Sequence, residues 1–315
     1  MEMKLRTNKF KYILMLLLTT LGFTNEAIAQ QDAQYTQYMY NPMNVNPGYA
    51  GTRGSLSVFG MHRTQWVGLQ GAPVTNVLSL HTPIGDSRLG VGFSIVNDKI
   101  GPSDENALSI DLAYRIPMNE KSTLSFGIKG VANLLNVDYT KLDIYDSTDS
   151  QFQNNIDNRF SPNVGAGAFW YSDKHYLGLS VPNFLETRHY DANNTSSLAK
   201  ERLHYYVMGG YVFNLSESLK FKPAVLSKFV TGAPLQVDLT GNFMFQEKFI
   251  LGGAYRWDAA ASLMAGFQIS KKLLIGYSYD METTKLANYN SGSHEVFLRY
   301  ELFKSSFNAI NPRFF

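Results

Sequence analysis

The chain has 315 residues, no cysteine, 28 lysines and arginines against 26 aspartates and glutamates, and an aromatic content set by 19 tyrosines and 21 phenylalanines. A protein whose main partner is nucleic acid would carry a basic excess, which this balance excludes. The lack of cysteine fits an exported chain that needs no disulfides, and beyond the first residues no stretch reaches the ~20 apolar residues of a transmembrane helix.

Residues 1–29 read as a secretory signal. Lys4, Arg6, Lys9 and Lys11 make a basic start, Tyr12–Phe23 an apolar core, and Ala27-Ile28-Ala29 a small-residue cleavage site. Cleavage between Ala29 and Gln30 is expected. Setting aside those four basic residues, together with Glu2 and Glu26, leaves equal numbers of basic and acidic side chains. Residues 30–54 then read QQDAQYTQYMYNPMNVNPGYAGTRG, neither alternating nor helical. Asn41-Pro42 and Asn46-Pro47-Gly48 are turn signals. Tyr35, Tyr38, Tyr40 and Tyr49 supply rings with little charge beside them, unlike a disordered leader. The segment is expected to be an ordered plug in or at a barrel lumen, with these tyrosines, Asn41, Pro42, Asn46 and Pro47 supporting the docking of a partner.

Residues 55–303 alternate. In Leu89–Val96, Leu89, Val91, Phe93 and Ile95 alternate with Gly90, Gly92 and Ser94; in Ala107–Ile116 the apolar set is Leu108, Ile110, Leu112, Tyr114 and Ile116. A strand sends successive side chains to opposite faces. A water-facing sheet would carry many charges on the second face, whereas here it carries glycine, serine and alanine, as in a barrel with lipid outside and a tight polar lumen. Fourteen such runs can be counted, from Ser55–Thr64 to Glu295–Phe303, and an even number suits a single-chain barrel. The reading is therefore an all-β, fourteen-stranded antiparallel outer-membrane barrel, followed by a tail over 304–315. Short connections alternate with longer ones at 97–106, 136–163, 182–202 and 281–294, matching short inner turns and long outer loops. With the first strand running outward, both termini are expected at the inner mouth. Pro223 inside a strand predicts a bulge. Trp170, Tyr171, Tyr176, Tyr255, Trp257, Tyr277, Tyr279 and Tyr300 are expected to face outward as interface rings.

The polar face also carries charges: Asp111, Arg115, Lys129, Lys220, Lys222, Lys228, Asp238, Arg256, Glu295, Arg299 and Glu301. On the lipid face a basic residue costs ~2–4 kcal/mol at midplane, so these should line the lumen or its rims. Their mixed signs point to paired networks holding a plug rather than an ion-selective ring.

Catalytic and metal motifs are absent from this pattern. No histidine pair has metal-ligand spacing. In Ser293-His294-Glu295 the first two side chains leave a strand on opposite faces and cannot converge. Asp143, Asp146 and Asp149 lack the spacing and glycine of a calcium loop. Gly165-Ala166-Gly167 has no helix after it and is no phosphate loop. No enzyme activity, cofactor or metal is expected.

Taken together, Gln34–Gly54, His62–Ile84, Leu89–Pro102, Ile275–Asp280, Ser293–Tyr300 and the NPRF run Asn311–Phe314 resemble the PorP/SprF family of type IX secretion system membrane proteins of Bacteroidota. The resemblance implies a fourteen-strand barrel like the long-chain fatty-acid transporter fold. It also implies a role in secreting or surface-anchoring a partner, typically a gliding adhesin with a C-terminal sorting domain, alongside other type IX components. The contrasting expectation is an outer-membrane diffusion pore or transporter for hydrophobic small molecules. A lipase fails for want of a convergent Ser–His pair.

Overall fold

A computed structural model describes residues 34–142, 154–185 and 203–302. The expected cleavage site Ala29–Gln30, the run Asp143, Asp146 and Asp149, and the tail 304–315 lie outside these residues.

The strands are β1 (Leu56–Thr64), β2 (Val74–Pro83), β3 (Leu89–Ile100), β4 (Ser103–Pro117), β5 (Ser122–Val137), β6 (Ile156–Ser172), β7 (His175–Val181), β8 (His204–Tyr211), β9 (Phe213–Asn214), β10 (Leu219–Val230), β11 (Gln236–Phe245), β12 (Phe249–Arg256), β13 (Ala260–Ser270), β14 (Leu273–Glu282) and β15 (Ser293–Leu302). Neighbours pair antiparallel around one sheet, and β1 closes on β15 with Leu56 opposite Leu302. Because β8 and β9 lie in line along the same flank of β10, the wall has fourteen positions, the barrel that the alternation predicts. Closure removes the open edges that a flat sheet would leave. Ile110, Ile128 and Leu263 are 58%, 62% and 64% exposed on the outer face, an apolar belt that suits lipid rather than water.

Three expectations change. Residues 97–106 are not a long loop, because β3 and β4 continue to a two-residue turn at Gly101-Pro102. Both faces are polar there, so apolar alternation stops while the ladder runs on, with Asn97 Nδ2 donating to Asp104 at 2.7 Å and to Asn106 at 3.0 Å. Pro223 causes no bulge and stays opposite Gly241. The pairing of β10 with β8 and β9 lapses beside it instead, and Val212 N donates to Lys174 O at 2.6 Å. The proline has no N–H to give that ladder. Tyr171 and Tyr176 are buried and face inward, because the parity of β6 and β7 places them with Phe169 and Gly178.

The wall is uneven. β4, β5 and β6 have 15, 16 and 17 residues, whereas β7 has 7. One mouth carries the turns at 84–88, 118–121, 173–174, 246–248 and 271–272, and is called here the short-turn mouth. The other carries the connections at 65–73, 231–235 and 283–292, and is called the long-loop mouth.

Candidate functional site

The described chain does not begin at the short-turn mouth, where β1 begins. Gln34 lies at the long-loop mouth, its Nε2 donating to Gln236 Oε1 at 3.1 Å. From there the segment runs through the lumen in three short 3-10 turns, Tyr38–Tyr40, Pro42–Asn44 and Pro47–Tyr49, and reaches β1 at the opposite mouth. The expectation that both termini share one mouth is thus corrected for the described N-terminal end. Alternation reports the direction of strands and carries nothing about an irregular segment. Prolines open the second and third turns, where fixed φ and a missing N–H cost a helix start nothing. Asn46 caps the third, its Oδ1 accepting from Gly48 N at 2.9 Å.

At the long-loop mouth the segment hangs on a buried charge cluster. Arg63 Nη2 lies 2.7 Å from Asp280 Oδ2, and Arg63 Nη1 lies 3.1 Å from Glu295 Oε2. Glu295 accepts from the backbone N–H groups of Thr36 at 3.0 Å and Gln37 at 2.9 Å. Thr36 Oγ1 donates to Asp280 at 2.7 Å and accepts from Arg63 at 3.0 Å. Beside it Arg256 Nε lies 2.6 Å from Asp238 Oδ1, and its Nη2 donates to Tyr35 O at 3.4 Å. A buried pair tolerates desolvation best when its remaining lone pairs are also bonded; the segment's backbone does this for Glu295 and the Thr36 hydroxyl for Asp280 Oδ2, while Asp280 Oδ1 and Arg63 Nε have no hydrogen-bond partner.

Midway, Tyr40 stacks on Phe297 at 4.7 Å, and Phe297 on Phe59 at 5.4 Å. Asn41 Nδ2 donates to Ser79 Oγ at 2.9 Å. Lys129 Nζ donates to Met43 O at 3.2 Å and lies 3.4 Å from Asp111. Ser180 Oγ donates to Val45 O at 2.6 Å, and Asn46 Nδ2 to Ala168 O at 3.0 Å. Lower down, contact is steric. Gly127 lies against Pro47 and Gly48, and Gly90 against Ala50, so closely that a Cβ at either would overlap backbone. Tyr49 packs edge-on to Phe169 at 5.3 Å. At the short-turn mouth Arg53 pairs with Glu301, and Arg115, half-buried at the rim, donates from Nη1 to Gly51 O at 3.2 Å.

The structure therefore places Tyr38, Tyr40, Asn41, Pro42, Asn46, Pro47 and Tyr49 inside the lumen, with Tyr35 half-buried. Asp111, Lys129, Asp238, Arg256, Glu295 and Arg299 are buried on the inner face. Reasoning from sequence missed Arg63 and Asp280. The inner face of β1 is Ser57, Phe59, Met61 and Arg63, so a rule that equates the inner face with small or polar residues passes over it. Asp280 sits at the end of its alternating run, where wall and loop read alike. On the inner face of β2, His81 accepts from Gly51 N at 3.1 Å.

The lumen holds the chain's own segment, and the Ser–His pair read in the sequence diverges. Ser293 faces inward and accepts from Trp66 N at 3.1 Å. His294 faces outward, 2.7 Å from the Tyr277 hydroxyl. At the long-loop mouth a cavity of about 440 Å³ remains, with Gln34, Arg63, Trp66, Arg256, Trp257 and Asp280 in its lining.

Among solved structures, the chain is similar to the CymD monoaromatic hydrocarbon channel, with TM-score 0.50 and 12% identity over 86% of this chain and 94% of that one. It is also similar to the Acinetobacter baumannii outer membrane protein Omp33, with TM-score 0.47 and 7% identity over 79% and 98%. At such identity the likeness to CymD shows the outer-membrane barrel fold alone. No curated protein matches the sequence. The pattern of the type IX secretion system membrane protein PorP/SprF family matches residues 27–300, nearly the whole of a barrel threaded by its own N-terminal segment, and the chain belongs to that family.

Proposed function

We propose that this barrel holds a secreted protein at the cell surface, working with other type IX components, and engages the partner through its long-loop mouth. The partner class is a surface protein carrying a C-terminal sorting domain. The observation that carries this reading is the threaded lumen. Residues 34–54 run from mouth to mouth with their backbone tied to wall side chains. A lumen occupied in this way favours a scaffold over a conduit, and leaves the mouth as the place of contact. Trp257 and Tyr289 stand there 66% and 70% exposed. Exposed aromatics in contact surfaces are the residues that most often carry binding energy.

Trp257→Ala combined with Tyr289→Ala tests the reading in cells. The variant barrel is expected to insert and to keep its heat-dependent gel mobility, while a surface protein held by the parent appears in the medium. Unchanged surface retention removes the mouth from the reading. Free passage of small hydrophobic solutes through the parent barrel in liposomes, with no secreted protein released in the variant, would instead favour a diffusion pore.

A further inference from the structure

The cavity of about 440 Å³ at the long-loop mouth has a lining whose charges cancel. Arg63, Lys228 and Arg256 stand against Asp258, Asp280 and Glu282, leaving His204 aside. A ligand that matches it is neutral overall and rich in hydrogen-bonding groups. The lining also holds two of the chain's three tryptophans, Trp66 and Trp257. Ligand sites of this size combine aromatic walls with a few placed polar groups. Trp66 is held at a positive φ of 45°, a region that a bulky side chain enters only when its surroundings force it and where strain often marks a ligand site. Its N–H donates to Ser293 Oγ at 3.1 Å and its Nε1 to Glu282 Oε1 at 2.7 Å. The indole is thereby fixed before any ligand arrives, which lowers the cost of binding.

The polar groups left over around the cavity are side chains. The backbone N–H groups of Gln65, Trp66, Ala233, Trp257, Ala259 and Leu286 already have partners. A peptide added as a strand draws its affinity from such groups, and here they are spent. The Asp258 carboxylate and the Gln65 side-chain amide, by contrast, make no hydrogen bond among the described residues. A carboxylate only accepts, whereas an amide both donates and accepts. Hydroxyl groups, each able to do both, satisfy the two together, and the carbon skeleton that carries several of them has C–H faces for the indoles.

We infer that the cavity is a saccharide site, with sugar C–H faces against the Trp66 and Trp257 indoles and hydroxyls bonded to Asp258 and Gln65. The sugar comes either from solution or from the polysaccharide of the cell's own surface. Fluorescence reads the site directly. Trp170 packs on His175 beside the turn at 173–174, so Trp170→Phe leaves only the two cavity indoles emitting. The full-chain Trp170→Phe barrel, in a detergent without a sugar headgroup, is titrated with maltotriose, with chitotriose and with polysaccharide released from the native outer membrane. A saturable change with either trisaccharide identifies a site open to free sugars. A change with the released polysaccharide alone identifies the surface glycan as the source. Asp258 has a φ of 52°, which asparagine also tolerates. Asp258→Asn is expected to weaken the response about tenfold, the worth of a hydrogen bond to a charged group. Gln65→Ala should weaken it less, and gel mobility checks that both variants are folded. No saturable response to any of the three sugars overturns the inference. So does a response that both variants leave unchanged. Saturation by trialanine in place of the sugars also overturns it, and assigns the cavity to a polypeptide partner.

Discussion

At the long-loop mouth, Thr36 and Gln37 hang by two backbone N–H groups from the carboxylate of Glu295, itself fixed by Arg63. Further down the same segment, Pro47, Gly48 and Ala50 rest against Gly127 and Gly90 with no room for a side chain between them. The first region is a polar latch, whose bonds can be exchanged for water without moving the wall. The second is a steric fit, which the wall cannot release without deforming. The comparison teaches that one segment can be bound tightly low in the barrel and still be releasable at the mouth where a partner would meet it.

The most decisive test is positional. The chain has no native cysteine, so a single introduced thiol reports one place. Gln34→Cys is expected to react with a bulky impermeant maleimide from the same side of the membrane as Asn290→Cys in the long-loop connection. Lys121→Cys, in the turn between β4 and β5, should react from the opposite side. If Gln34→Cys labels with Lys121→Cys, the segment does not traverse the lumen and the comparison loses its upper end.

The next effect in size concerns the latch. Arg63→Met leaves Asp280 and Glu295 buried without their cation, and breaking such a pair costs ~3–5 kcal/mol. Urea unfolding of the folded barrel should show that loss, and labelling of Gln34→Cys should speed up as the latch opens. Replacing all three charges by apolar residues should recover much of the stability without restoring the latch, because the backbone N–H groups of Thr36 and Gln37 then lack Glu295. An Arg63→Met barrel as stable as the parent would show that the cluster is not the anchor.

The wall was legible in the sequence because one physical rule, alternation between lipid and lumen, is repeated along every strand. Even where β3 and β4 outrun their apolar run, only the boundary moved, since polar residues on both faces look like a loop. The lumen was half legible. Charges on a face of small residues, such as Asp111 beside Ser109 and Ala113 and Lys129 beside Ser125 and Gly127, were visible as inner by parity. Arg63 was not, because its strand turns Phe59 and Met61 inward, Phe59 stacking on Phe297, which stacks on Tyr40, and that need arises only once the segment is in place. Tyr171 and Tyr176 were misplaced for the same reason: rings near strand ends suit either a membrane interface or a filled lumen. The path of residues 34–54 was not legible, because turn residues give bends without giving direction.

The steric region predicts a smaller change. Gly127→Ala puts a Cβ into the backbone of Pro47 and Gly48, and overpacking of this kind costs ~1–3 kcal/mol. Gly130→Ala on the same strand meets nothing within 4 Å and serves as the control. Gly127→Ala should lower the urea midpoint while Gly130→Ala leaves it nearly unchanged. Equal effects would show that the close approach is not what holds the segment.

The smallest effect lies between the two regions, where wall side chains donate single hydrogen bonds to the segment. Ser180 Oγ donates to Val45 O at 2.6 Å. Ser180→Ala removes that donor while keeping nearly the same volume, so no cavity adds to the loss, and a neutral hydrogen bond is worth about 0.5–1.5 kcal/mol net. Ser94→Ala provides the comparison, because the hydroxyls of Ser94 and Ser109 lie 2.6 Å apart and join wall to wall. Both substitutions should shift the unfolding midpoint by similar small amounts. They should differ in hydrogen exchange: Ser180→Ala is expected to speed exchange at the Val45 and Asn46 amides, and Ser94→Ala to leave them alone. Faster labelling of Gln34→Cys in the Ser180→Ala background would mean that the latch opens with the middle of the segment. The two regions would then be one cooperative unit, and the contrast between a releasable mouth and a fixed lower segment would fail.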